Sequence, residues 1–160
     1  FRNSVIITAI TVGGIVFTSC LSAYAFAKLR FRGRDWIFSI LLATLMIPQT
    51  VLLIPNFIIV AKLGWIDRLP ALTVPFLASA FPIFLLRQFF SQIPDELIEV
   101  AKIDGATHLR TLISIVVPLS KAPIFTVVFL SYIYTWNLLQ WPLVVTQTPR
   151  WRPIPVASAA

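Results

Sequence analysis

Charge chemistry in this chain is gathered in one stretch. From Ile93 to Lys121 the sequence reads IPDELIEVAKIDGATHLRTLISIVVPLSK, the one long charged run in an otherwise apolar polypeptide. Pro94 suits the first helical position, Asp95 and Glu96 oppose the positive end of a helix dipole, and Gly105 can adopt the left-handed conformation that ends a helix. The run predicts a short helix, a glycine turn and a second helix. Leu97, Ile98, Val100 and Ala101 give the first helix an apolar surface, with Glu99 three residues before Lys102, and such a surface can dock in a groove on another protein. A second group of chemically capable residues is uncharged: Tyr132, Tyr134, Thr135, Trp136, Asn137, Gln140 and Trp141 lie close together, and Gln49 and Asn56 add two amides upstream. Amides beside aromatic rings suit a polyhydroxylated ligand, the rings covering its apolar patches and the amides bonding its hydroxyls. Interfacial anchoring explains Trp141 and Trp151 equally well, and helix-to-helix hydrogen bonding explains Gln49 and Asn56.

Several chemistries lack their residues. His108 stands without a second histidine or a cysteine cluster, so no metal site is expected. There is no GxSxG nucleophile elbow and no GxxxxGK(S/T) phosphate loop, so neither hydrolysis nor ATP binding by this chain is supported. Cys20 is the single cysteine and reads as a small packing residue in an apolar run.

The elements that must carry these residues belong in a membrane. Hydrophobic residues make up 58% of the chain and charged ones 12%, with a mean hydropathy of +0.89, outside the range of ordinary soluble domains. The formal charge of +7 does not indicate nucleic acid, because the basic residues sit at the ends of apolar runs and form no stripe among aromatics. No charge occurs between Arg2 and Lys28, Asp35 and Lys62, Arg68 and Arg87, or Lys121 and Arg150. Each of these four segments can cross a bilayer, which takes about 20 helical residues, and in lipid each must be helical to satisfy its own backbone. The fold class expected is all-α, a polytopic membrane helical bundle of about four transmembrane helices, with residues 93–121 as a helix-turn-helix loop outside the bilayer. The chain, 1–160, reads as a single transmembrane domain within a longer protein. Arg2, the apolar run and Ala23-Tyr24-Ala25 mimic a secretory signal, but the basic cluster Lys28, Arg30, Arg32 and Arg34 behaves as a cytoplasmic anchor.

Eight of the thirteen lysines and arginines lie on the first and third connections, which places those connections, and the charged hairpin with them, in the cytoplasm. In the first segment Ala9 with Gly13, and Ser19, Ala23 and Ala27, form small-residue rows for close packing, within the subunit or against a partner. Prolines 48, 55, 70, 75, 82, 123 and 142 predict kinked spans. None of the four segments carries Asp, Glu, Lys, Arg or His, so no proton relay is built within them and the energy for any transport must come from another chain.

The spacing of Glu99-Val100-Ala101, Gly105, Ile115 and Val117-Pro118 resembles the EAA loop of permease subunits in ATP-binding cassette importers, and IDGATHLRTLISIVVPLSKAPI resembles the carbohydrate-uptake branch. NSVIITAITV, AYAFAKLRFRGRDWIF, ATLMIPQTVLLIPNFIIVAKLGW, FPIFLLRQFFSQIPDEL and WNLLQWPL extend the likeness over nearly the whole chain. Val100 stands where the family prefers alanine, Val117 where it prefers leucine, and Leu138 where an acidic residue often follows the Trp-Asn pair. The resemblance implies a multi-pass inner-membrane permease subunit that is not itself an enzyme. Its partners would be a cytoplasmic ATPase dimer that binds ATP and Mg, a second permease subunit and an extracellular or periplasmic solute-binding protein. Glu99, Val100, Ala101, Asp104, Gly105, Ile115 and Pro118 would form the ATPase-coupling site, and residues 94–118 would move with the ATPase cleft. Gln49, Asn56, Tyr132, Trp136, Asn137 and Gln140 would be candidates for the path of a carbohydrate. Alternatives are a permease for glycerol phosphate or a polyamine, and a non-transporting scaffold whose hairpin recruits a soluble protein.

Overall fold

A continuous apolar run without proline yields one uninterrupted helix, and the N-terminal segment has that composition. The computed structural model of the chain describes residues 1–159. Helix α1 (Arg2–Lys28) has 27 residues, about 40 Å at the helical rise and therefore longer than the hydrocarbon core. Among the described residues it is the one unbroken helix long and apolar enough to cross a membrane.

The remaining apolar sequence forms shorter helices: α2 (Arg34–Thr44), α3 (Gln49–Lys62), α4 (Leu69–Thr73), α5 (Ala80–Ser91), α6 (Asp95–Ile103), α7 (His108–Thr111), α8 (Val117–Leu119), α9 (Lys121–Trp136), α10 (Gln140–Val145) and α11 (Ile154–Ala159). Three-ten turns follow α4 at Val74–Phe76 and precede α11 at Pro149–Trp151. All elements among the described residues are helical, as expected for the fold class. The expected four spans are reached only by counting broken pairs: Arg34–Thr44 with Gln49–Lys62, Leu69–Phe76 with Ala80–Ser91, and His108–Leu119 with Lys121–Trp136.

That count corrects one expectation. The fourth segment is not one helix from 122 to 149, because α9 ends at Trp136 and a new helix begins at Gln140. The last broken pair also draws in His108–Leu119, the second arm of the charged hairpin, at a bend of 86°. The spans are bent as expected, by 99°, 41° and 86° at their breaks, but the prolines act at helix starts more than in helix interiors. Pro48 is the N-cap of α3, Pro70 and Pro75 open α4 and the turn after it, and Pro82, Pro123 and Pro142 each sit third in their helices. The first-turn N–H groups have no intrahelical acceptor, so proline there removes nothing. Pro55 alone of the seven lies in a helix interior.

The chain divides into two compact units, and α1 contributes its first half to one and its second half to the other. In the unit made of Phe1–Ile15, Met46–Ala78 and the chain from Phe129 onward, the core gathers Ile7, Val60, Ala71, Leu72, Trp141 and Val145. Trp141 is central: its indole Nε1–H donates to the Ala71 carbonyl at 2.7 Å, and its ring meets Phe76 edge-on at 5.9 Å. It is a core residue, not an interfacial anchor. Gly14 makes the close approach, since a Cβ there would lie 2.3 Å from Leu77 Cδ2. The N-terminal turn is tied to the C-terminal segment by Asn3 Nδ2 donating to the Arg150 carbonyl at 2.8 Å and by the Ile154 N–H donating to Ser4 Oγ at 2.7 Å.

In the other unit, made of Val16–Leu45 and Ser79–Val128, Phe38 stacks with Phe84 at 6.4 Å and meets Phe26 at 5.3 Å. The Arg87 guanidinium lies 4.0 Å over the Phe38 ring. The two small-residue rows of α1 are distinguished by burial. Ser19 and Ala23 are fully buried, whereas Ala9 is exposed and Gly13 faces open space.

Trp141→Phe keeps the ring but leaves a buried Ala71 carbonyl without its donor, at a cost of about 1–3 kcal/mol. The full-length variant in detergent is expected to unfold at a lower temperature than the parent, and an unchanged midpoint would contradict the assignment.

Candidate functional site

The charged hairpin is built as a capped helix, a left-handed turn and a capped return. Pro94 adopts extended backbone as the N-cap of α6, one residue earlier than expected, and Asp95 and Glu96 occupy the first turn. The helix ends in a Schellman arrangement: the Ala106 N–H bonds the Ala101 carbonyl at 2.9 Å and the Gly105 N–H bonds the Lys102 carbonyl at 3.0 Å. This closure needs φ = +79° at Gly105, which glycine adopts without steric cost. Thr107 then caps the return arm, its Oγ1 accepting from the Arg110 N–H at 3.3 Å. Beyond α7 the backbone widens into a π-helix over Leu112–Val116. Pro118 lies just beyond and offers no N–H to the carbonyl four residues back, which favours the local change in pitch.

The sequence-predicted coupling residues fall on both faces of this hairpin. Glu99, Asp104 and Gly105 are exposed, Val100 is 55% exposed, Pro118 is exposed and Ile115 is half-buried within the π segment. Ala101 is buried, as is Ile98. The apolar surface is accordingly not Leu97, Ile98, Val100 and Ala101. It is Leu97, Val100 and Ile103, the last 83% exposed, set three residues apart along one side of α6.

Two side chains on α1 hold the hairpin. Lys28 Nζ donates to Asp95 Oδ1 at 2.7 Å and to the Ile93 carbonyl, and the Lys28 side chain is 3% exposed against 71% for Asp95. The hydrogen bond from Lys28, and then its charge with those of Arg30 and Lys102, hold the Asp95 carboxyl below the usual carboxylate range. One turn earlier, the buried Tyr24 hydroxyl is 3.2 Å from His108 Nδ1, at the start of the return arm. Sequence reasoning missed both pairs. The signal for them is the four-residue spacing of Tyr24 and Lys28 at the C-terminal end of α1.

The path candidates lie in the other unit. The buried stripe of α9 is Val127, Ser131 and Thr135, and the candidates flank it. Tyr132 stacks on Trp136 with ring centroids 5.5 Å apart. Tyr134 donates its hydroxyl proton to Gln49 Oε1, joining α9 to α3. The Asn137 amide turns back to the Ile133 carbonyl at 2.7 Å, so its donor caps its own helix. Asn56 is half-buried and Gln140 exposed. A cavity of about 10 Å³ bordered by Thr8, Thr135 and Trp136 is water-sized, far too small for a sugar.

A feature unforeseen from sequence closes the loop between α3 and α4. Asp67, at φ +59°, accepts from the Gln147 and Thr148 N–H groups at 3.2 and 3.1 Å and from the Thr148 hydroxyl. The Thr148 hydrogen bonds, foremost the side-chain one, lower its carboxyl below the usual range, with smaller help from Gln147 and Arg150.

The sequence pattern of the family described as the binding-protein-dependent transport system inner membrane component matches residues 6–155. The chain belongs to that family. It is similar to the sn-glycerol-3-phosphate transport system permease protein UgpE of Yersinia enterocolitica, 43% identical over 146 residues that cover 91% of this chain and 52% of that protein. The protein of the same name from Pectobacterium atrosepticum is 43% identical over 144 residues, covering 90% and 51%. Among solved structures, a bacterial ABC transporter involved in the import of the acidic polysaccharide alginate superimposes with a TM-score of 0.89 at 29% identity, covering 99% of this chain and 55% of that one. The chain spans about half the length of the curated relatives it matches. As a family member it is an inner-membrane component.

Because the Asp67 carboxyl is depressed in the folded protein, its clasp is fully present above the ordinary carboxylate range and is lost as the pH falls through the folded value. Amide-exchange protection of Gln147 and Thr148 is expected to fall in acid. Asp67→Asn, which tolerates the left-handed backbone but carries no charge, is expected to remove that pH dependence; its persistence would contradict the clasp.

Proposed function

We propose that this chain is part of a permease subunit of an ATP-driven importer, in which the hairpin at 94–118 is the cytoplasmic contact with a separate ATPase. The observation that carries the reading is the exposed side of α6: Leu97, Val100 and Ile103 stand out from the chain beside Glu99 and Asp104, on a helix whose C-terminal end is closed by the Schellman bonds. Full burial of each such apolar side chain contributes about 1.5–3 kcal/mol, enough for three of them to anchor a small helix in a groove. Family membership and the EAA-like spacing of Glu99, Val100, Ala101, Gly105, Ile115 and Pro118 support the identity of the partner. ATP and Mg belong to that ATPase in this reading, and catalysis with them.

The path requires walls from outside this chain. Tyr132, Trp136 and Gln140 flank or follow a helix whose Phe125 and Phe129 are 76% and 62% exposed, surfaces for lipid or for a second permease subunit. A solute-binding protein on the outer side delivers the cargo. For the cargo, the relatives named for sn-glycerol 3-phosphate, at 43% identity, favour that solute over the carbohydrate expected from the sequence. Both carry hydroxyls that side-chain amides can bond.

The test is purification of the complete protein with its associated subunits, followed by ATP hydrolysis and uptake with loaded binding protein. The account expects solute-stimulated hydrolysis, with sn-glycerol 3-phosphate competing for uptake. A complex without an ATPase would leave the scaffold reading. Gly105→Pro removes both the positive φ and the N–H that bonds Lys102. It is expected to reduce stimulated hydrolysis to the basal rate while the protein still inserts in the membrane, and normal uptake by that variant would refute the role of the turn.

A further inference from the structure

The hairpin is attached to the end of α1 at two points, one on each arm. Lys28 reaches the entry to α6 through Asp95 and the Ile93 carbonyl, and Tyr24 reaches His108, the first residue of α7. Residues four apart on a helix share a face, so both bonds come from the same side of α1. Beside the chain connections and the buried Ile98 and Ala101, two bonds to separate arms oppose rotation as well as displacement. The Lys28 contact is strong for a local reason. A side chain only 3% exposed has little water to replace a lost partner, so separating it from Asp95 and Ile93 would leave a charge and a carbonyl unsatisfied. The Tyr24 side chain is buried too, and its hydroxyl meets the exposed His108 ring.

We propose that Tyr24 and Lys28 are positioning residues for coupling, holding both arms of the hairpin so that its displacement enters the membrane through α1 as a rigid movement. This rests on the reading of the hairpin as the ATPase contact. It assigns a mechanical role to two residues outside the EAA-like stretch.

The experiment uses the full-length protein in its complete complex, with Tyr24→Phe, Asp95→Asn, the double variant, and Asp95→Glu as the conservative replacement. Tyr24→Phe keeps the ring, and Asp95 is exposed, so both are expected to fold. Two quantities are read: amide-exchange protection across residues 95–111, and solute molecules moved per ATP hydrolysed. Each single variant is expected to lower the transport ratio by a few-fold. The double variant is expected to lower it about tenfold or more, beyond the product of the singles, because either point alone still restrains one arm. Asp95→Glu is expected to restore most of the ratio. Hairpin protection should fall in the double variant even if the wild-type complex shows no stimulated ATPase, an outcome that would refute the ATPase reading and leave the two-point hold standing. Unchanged protection in the double variant overturns the hold. Lowered protection with a wild-type transport ratio overturns the role in coupling.

Discussion

An apolar chain that must turn repeatedly has to satisfy its backbone at every helix end, and this constraint organises the whole structure. Each helix start leaves N–H groups without partners and each helix end leaves carbonyls, and lipid supplies neither donors nor acceptors. Proline at the start of a helix lowers the number of unmatched donors, which is where Pro48, Pro70, Pro82, Pro123 and Pro142 sit. Where the chain turns in the charged hairpin, it uses the polar solution instead: the Schellman closure at Gly105 and the Thr107 cap. The breaks that make the spans discontinuous and the caps that make the hairpin compact answer the same requirement.

The hairpin is closed by its own backbone bonds, and side chains tie it to α1. Its outer side carries Leu97, Val100 and Ile103, its inner side Ile98 and Ala101, and Lys28 and Tyr24 fasten its two arms. A force applied to the exposed side therefore has a short route to a helix of 27 residues. In the proposed reading, the ATPase supplies that force and the helix carries it toward the path.

Gly105 was legible in the sequence because a glycine closing a charged, helix-forming stretch leaves few alternatives. The membrane class was legible from charge-free runs, since few other environments accept them. The inward face of α6 was not: Leu97, Ile98, Val100 and Ala101 are all apolar, and sequence periodicity over nine residues does not say which side meets the rest of the chain. The bends were legible from the prolines, but not that most prolines start the helices beside them, because a uniformly apolar run hides where a helix begins. Lys28 and Asp95, 67 residues apart, and Asp67 and Thr148, 81 apart, are partners that only the fold brings together. Among the path candidates, Asn137 illustrates the same limit, since an amide next to a tryptophan suits a ligand hydroxyl as well as its own helix carbonyl. Val100, where the family prefers alanine, places a branched side chain on the exposed side of α6.

The side of the membrane on which the hairpin lies tests the account most directly. Cys20 is buried and a poor target for reagents, whereas position 103 is 83% exposed. Ile103→Cys in the full-length protein, in a background otherwise free of reactive cysteines, can be treated with a membrane-impermeant thiol reagent in intact cells and in opened membranes. The account predicts labelling only after the membrane is opened. Labelling from outside intact cells would put the hairpin on the wrong face and contradict it.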